Sequence, residues 1–314
     1  MTPPPAERRL RTVTGTIPAS AITGTVLPHE HLQLDLRWPA RPAQVESDPR
    51  RWLDEEKAVT AELAALRAGH ELSLVVDLTC GGMGRNAAAL SRISAGSRVA
   101  VVAGTGFFAE PFHPAFVADA DVEKLAERIL AEIGFGMDGT NSLPGVIGEI
   151  GSWGEAPTEA EERCLRAAAR AARYSGLPVA TYGRPGVTQL EILTGDGLDP
   201  SRVAVGQQTD DPAAYRKIAE QGAYVSFGLT GDSATLDSQV RAVVELLEAG
   251  HNERVLLSTG IARMEQVQRY GGPGFAHLFE AFLPALSAAG ADDATLRTIT
   301  RDNPLRWLTS APAA

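Results

Sequence analysis

The segment TVLPHEHLQLD at residues 25–35 places His29 and His31 two residues apart at the end of an apolar run. On a β-strand that spacing sends both imidazoles toward one face, with their Cα atoms about 6–7 Å apart. Two imidazoles so placed can converge on one cation, share a hydrogen-bond partner, or divide acid and base work between them. A carboxylate sits in a comparable setting in VIGEIG, residues 146–151, where Glu149 interrupts a run suited to a buried strand. A carboxylate buried there requires a cation, hydrogen bonds or a proton. His29, His31 and Glu149 then make a two-histidine, one-carboxylate set that leaves coordination positions for water or substrate. A satisfied polar core is the alternative the spacing leaves open.

Other polar residues fall where strands end. Tyr182 in VATYG and Gln207 in VGQQTDD both donate and accept hydrogen bonds and suit the orientation of a carbonyl or phosphoryl oxygen. Neither replaces a histidine in a zinc site. Asp210 is the candidate general base of the neighbouring acidic pair, although Asp210 and Asp211 also suit an exposed helix start. Ser258 and Thr259 in LLSTG have no visible base to activate them. The loop ARMEQVQRYGGPGF beyond them offers Arg263, Arg269 and Tyr270 to an anionic or oxygen-rich substrate. Asp77, ahead of the turn CGGMGR, is expected to orient that turn, and His113 to serve as a loop hydrogen-bonding group. The glycines of the turn match no nucleotide-binding loop.

These residues need a frame that brings strand ends together. Apolar runs at 72–79, 97–108 and 144–151, and later LPVAT, SRVAVGQ, GAYVSFG and ERVLLST, alternate with helical segments such as 51–69, 120–133 and 158–176. The last of these has Thr158 and Glu161 for a capping box and Gly176 as a stop. Cys164, Leu165, Ala168, Ala169 and Ala172 give it a narrow apolar face. About eight strand–helix units predict a (β/α)8 TIM barrel with a short N-terminal β extension, the doubly wound open sheet being the structural alternative. Residues 9–24 are expected to close one barrel end. The expected division is a flexible N-terminus at 1–8, one domain at 9–309 and a short tail at 310–314.

Composition excludes several partners. The 314 residues carry a formal net charge of -10, with 39 acidic against 29 basic side chains and no basic stripe, which argues against nucleic acid. Two cysteines cannot build a disulfide scaffold or a four-thiolate metal site. MTPPPAERRL lacks the apolar core of a secretory signal, and no later run reaches the roughly 20 apolar residues of a membrane span. A cytoplasmic protein acting on a small molecule is expected.

The ordered set GTVLPHEHL, VVDLTCGGMGRNAAAL, VVAGTGFF, GVIGEIG, EERCLRAAARAA, YGGPGF and DNPLRWL resembles the phosphotriesterase-related family of the amidohydrolase superfamily, over roughly residues 12–308. That resemblance implies a TIM barrel, one or two divalent metals, and hydrolysis of phosphotriesters, lactones or related esters. It carries metal-ligand roles onto His29 and His31 and a bridging-carboxylate role onto Glu149. Tyr182 and Gln207 stand where the family has histidines, and Gly260 where it has a metal-binding aspartate that handles the proton of the attacking water. What remains implies at most one divalent ion, zinc preferred, and a divergent hydrolase with Glu149, His31 and Asp210 as its catalytic groups. A metal-free isomerase, lyase or cyclase in the same pocket, and a non-catalytic binding protein, are the alternatives. The family resemblance also leaves a homodimer open.

Overall fold

The computed structural model describes residues 7–207, 211–229 and 235–310, and of Gln207 only the backbone. Eight parallel strands form one sheet: β3 (Thr25–Glu30), β6 (Leu72–Asp77), β7 (Ala100–Thr105), β8 (Val146–Ser152), β9 (Val179–Gly183), β10 (Val203–Gln207), β11 (Tyr224–Gly228) and β12 (Val255–Ser258). They are preceded by an antiparallel hairpin of β1 (Arg9–Thr12) and β2 (Gly15–Pro18). A second small pair, β4 (Leu34–Asp35) with β5 (Trp52–Leu53), lies in the loop after β3. Strands alternate with helices α1 (Glu56–His70), α2 (Ala87–Ser97), α3 (Val122–Phe135), α4 (Glu159–Ser175), α5 (Gly186–Gly195), α6 (Pro212–Glu220) and α7 (Leu236–Glu248). Short helical turns then finish the chain. This is a (β/α)8 barrel with a short N-terminal β extension. No helix among the described residues is long and apolar enough to cross a membrane.

The helix expected from residue 51 begins at Glu56, because Trp52 and Leu53 are taken up by pairing with Asp35 and Leu34. Elsewhere the local signals place the elements closely. In α4 the Thr158 hydroxyl accepts from Glu161 N–H while the Glu161 carboxylate accepts from Thr158 N–H, and Gly176 ends the helix at φ 80°. Its alanines from Ala167 to Ala172 are fully buried, so the helix lies close against the strands.

The bottom of the barrel is filled by the early residues of the strands, among them Val26, Leu74, Val102, Val146, Ala204 and Leu256. Leu10 and Ile22 from the N-terminal extension and Trp307 from the C-terminal helix join this cluster. Each fully buried aliphatic side chain of this kind contributes about 1.5–3 kcal/mol. The extension therefore does close one end, and the opposite, C-terminal ends of the strands are left to line a cavity.

Two ligand-bearing strands depart from regular pairing. Between Leu27 and Glu30, β3 runs three residues while β6 runs two, from Val75 to Asp77. β8 does the same against β9 between Ile147 and Ile150. Each is a one-residue irregularity of the sort that re-aims a side chain. At Gly148, with φ 139°, an added Cβ would stand 2.4 Å from the Ala180 carbonyl oxygen, so the backbone turn that presents Glu149 requires glycine.

A candidate metal centre at the barrel mouth

The end of β3 and the middle of β8 meet at the floor of a cavity of about 870 Å³. His29 Nε2 lies 2.5 Å from Glu149 Oε2, and His31 Nε2 lies 3.7 Å from the same oxygen. The ligand atoms of all three lie within 4.8 Å of one another, the one such group among the described residues. All three side chains are at least 94% buried. His29 Nε2 makes an ion-pair contact with Glu149 Oε2, and no other hydrogen-bond donor reaches that oxygen. A buried carboxylate oxygen that faces two imidazole nitrogens and no other donor has a ligand set that fits one divalent cation.

The surroundings fix these groups in place. His31 Nδ1 is 3.0 Å from Thr79 Oγ1, which leaves Nε2 to face Glu149. Glu149 is anchored by its backbone, which donates to Leu78 O and accepts from the Cys80 thiol. Gly206 gives His29 its room, since a Cβ there would approach His29 Cε1 to 3.3 Å. Asp77, beneath the site, accepts from Leu32 N–H at 2.7 Å and Thr79 N–H at 3.0 Å, so it orients the turn. Burial raises its pKa to about 7. Burial also lowers His31 to about 4, holding it neutral and able to act as a ligand. For His29 burial pushes the pKa down, but the Glu149 carboxylate outweighs it and the net direction is up.

The middle residue of HEH has a separate task. Glu30 points away from the cavity and accepts from Ser258 Oγ at 2.6 Å, Thr259 N at 2.6 Å, Thr259 Oγ1 at 2.8 Å and Ile261 N at 3.2 Å. Ser258 Oγ in turn accepts from His29 N–H at 3.1 Å. Fully buried, this carboxylate fastens the last strand to the first at the barrel seam. It is also the partner for Ser258 and Thr259 that their sequence did not reveal. Alternation between two inward histidines is the signal that would have turned Glu30 outward.

Tyr182 lines the cavity, its ring 6.0 Å from that of His29, and Arg263 lines it as well. Arg269 and Tyr270 do not join them. The turn that holds them is drawn onto α1, where Glu62 accepts from Gln268 N–H and Phe275 N–H, and Tyr270 is 45% exposed. Asp211 caps α6 by accepting from Ala213 N–H. Asp210 lies outside the described residues, as does the side chain of Gln207. Gly260 borders the cavity at φ 64°, where an added Cβ would stand 3.3 Å from Gly228 Cα, and brings no ligand atom. Arg51 and Arg184, which also border it, were not singled out from the sequence, although Arg184 directly follows β9 at a position the barrel turns toward the mouth.

A barrel whose first and fourth strands carry a buried His-x-His and a glutamate has the architecture of the amidohydrolase superfamily. The model of the Phosphotriesterase family matches residues 8–308, and the chain belongs to that family. It is 32% identical over 292 residues to the phosphotriesterase homology protein of Escherichia coli K12, covering 91% of this chain and 98% of that one. It is 28% identical to the N-acetyltaurine hydrolase of Danio rerio, covering 96% of this chain and 98% of the relative. Among solved structures, a resiniferatoxin-binding protein from Rhodobacter sphaeroides superposes with a TM-score of 0.88 at 32% identity, covering 96% of this chain and 95% of that one. The chain is a divergent enzyme of this superfamily, with a three-residue ligand cluster suited to at most one metal.

Proposed function

We propose that the protein hydrolyses a small ester, lactone or related acyl compound at the His29–His31–Glu149 corner, using at most one divalent ion, zinc preferred. The observation that carries this is the convergence of two imidazole nitrogens on the buried Oε2 of Glu149 at the floor of an open cavity, with the three ligand atoms within 4.8 Å of one another. His29, His31 and Glu149 would hold such an ion, which would supply Lewis-acid polarisation of a substrate carbonyl. Among the protein's own groups, Thr79 sets the orientation of His31, the bulge at Gly148 presents Glu149, and Tyr182 stands where its hydroxyl can orient the acyl oxygen. Glu149 and His31 are the proposed catalytic groups on the floor, and His29 is the imidazole whose proton the neighbouring carboxylate favours. Asp210 remains the sequence-based candidate for accepting one from water. The N-acetyltaurine hydrolases among its relatives extend the acyl class to amides. Two free, buried cysteines suit a cytoplasmic setting.

The direct test is metal analysis by mass spectrometry after zinc loading and dialysis, alongside a turnover screen over esters, lactones and N-acyl amines. One zinc per wild-type chain is expected, absent from His29→Ala and Glu149→Ala, with turnover lost in both. Zinc retained by those variants would refute this seat for the metal, and turnover equal in zinc-loaded and chelated protein would refute its use.

A further inference from the structure

Among the described residues that border the cavity, basic side chains outnumber acidic ones. The sequence carries a formal net charge of -10, yet the charged side chains among the described residues around the cavity are Arg51, Arg184 and Arg263 against Glu149 alone. Glu149 lies at the floor. The arginines come from the loops after β3, β9 and β12, at the mouth.

Two of them are linked into a strap. Arg263 Nη1 stands 3.1 Å from Asp48 Oδ2, Arg51 Nε 3.6 Å from the same oxygen, and Arg50 Nε 3.5 Å from Oδ1. The Arg51 guanidinium also lies over the Trp153 ring, 5.2 Å from its centroid. Contacts therefore run across the mouth from the loop after β12, through Asp48, to Trp153 just beyond β8. One carboxylate serves three guanidinium groups, so the strap keeps an excess of positive charge. An arriving oxyanion breaks no one-to-one ion pair to reach it. Arg51 and Arg263 are partly sheltered, 25% and 28% exposed, which strengthens charge-assisted bonds relative to open surface. Arg184 differs, being exposed and paired one to one with Glu155, and contributes only to the local field.

We infer that Arg51 and Arg263, positioned by Asp48 and Trp153, bind an oxyanion carried by the substrate at the end remote from its reacting acyl group. Carboxylate, sulfonate and phosphate share the required planar or multi-oxygen face for a guanidinium fork. Only the acyl end of this assignment rests on the hydrolase proposal; anion binding at the strap stands apart from turnover.

The test is calorimetric titration of the full-length protein at low ionic strength with glutarate, and with glutaramide as the neutral control. Propanesulfonate and propyl phosphate run in parallel identify the preferred oxyanion head. Glutarate is expected to bind with glutaramide at least tenfold weaker, and Arg263→Met and Arg51→Met are each expected to weaken glutarate by about ten- to a hundredfold. Arg263→Lys should recover part of the loss, and Glu149→Gln should keep glutarate affinity, separating the strap from the floor. Glutaramide binding as tightly as glutarate, or glutarate affinity lost in Glu149→Gln but kept in folded Arg263→Met, overturns the inference. Matched chromogenic esters, 4-nitrophenyl hemiglutarate against 4-nitrophenyl valerate, then compare kcat/KM. Turnover of both without preference for the anionic one sinks the strap alone, whereas glutarate binding with turnover of neither sinks the hydrolase alone.

Discussion

Strands β3 to β8 deliver to the barrel mouth two histidines, a glutamate and the groups that hold them, whereas β9 to β12 and the turn beyond deliver Tyr182, the Gly206 gap, Ser226, Gly228 and Gly260. The first half concentrates buried ionisable side chains, Glu30, Asp77 and Glu149 among them, each supported by named partners or aimed at a neighbour. In the second half the described floor positions are neutral and partly reduced to backbone. The difference shows that a ligand set can lose one side without collapse, because the surviving side is tied to its own strands and across the seam rather than to the missing ligands.

The largest effect that tests this division concerns metal affinity. His29→Ala is expected to weaken zinc binding more than about 100-fold, the outer partner variant Thr79→Val about tenfold, and Tyr182→Phe not at all, as measured by competition with a chromogenic chelator. A large effect of Tyr182→Phe would move part of the site into the second half. Next in size is the seam. Glu30→Ala leaves the Ser258 and Thr259 donors buried without an acceptor, and a loss of about 3–5 kcal/mol is expected in urea denaturation.

Asp77 sharpens the same contrast through pH. Its folded pKa, raised by burial from 3.8 to about 7, means that the folded protein keeps a proton the unfolded chain releases. Its contribution to stability is fully present below about pH 4 and declines as pH rises toward 7, by a few kcal/mol in order of magnitude. Asp77→Asn is expected to remove that decline, although the amide costs a fixed amount by facing a backbone donor. Denaturation midpoints of both proteins between pH 4.5 and 7.5 check this through the change in their difference. The smallest effect lies in the second half: Gly260→Asp puts a side chain at φ 64° with its Cβ 3.3 Å from Gly228 Cα. A loss of about 1–2 kcal/mol is expected in thermal unfolding. An unchanged Tm would show that this strand end still accepts the acidic ligand.

Much of the frame was legible because it rests on local signals. The capping box at Thr158 and Glu161, the alanine-rich face of α4 and the apolar strand runs each state their role within a few residues. The helix expected from residue 51 failed at its start, because pairing of Trp52 with Asp35 is a contact between segments. Arg269 and Tyr270 were candidates by proximity to a strand end, but Glu62 on α1 holds their turn away from the cavity. Arg51 went unmarked since, beyond neighbouring Asp48, what it meets comes from other loops: Trp153 under its guanidinium and Arg263 across the shared carboxylate.

Residue type and order alone determined that two histidines and a glutamate would be delivered by barrel strands, and that Tyr182 and Gly260 could not supply the other ligands. Those are properties of donor atoms and of hydrophobic period. Tertiary structure decided that the two imidazoles meet at one Glu149 oxygen, that Glu30 turns to the seam, and that arginines from separate loops share Asp48 over the mouth. The physical reason is that bulges re-aim side chains and closure of the sheet brings distant strand ends together, neither of which is written in local spacing.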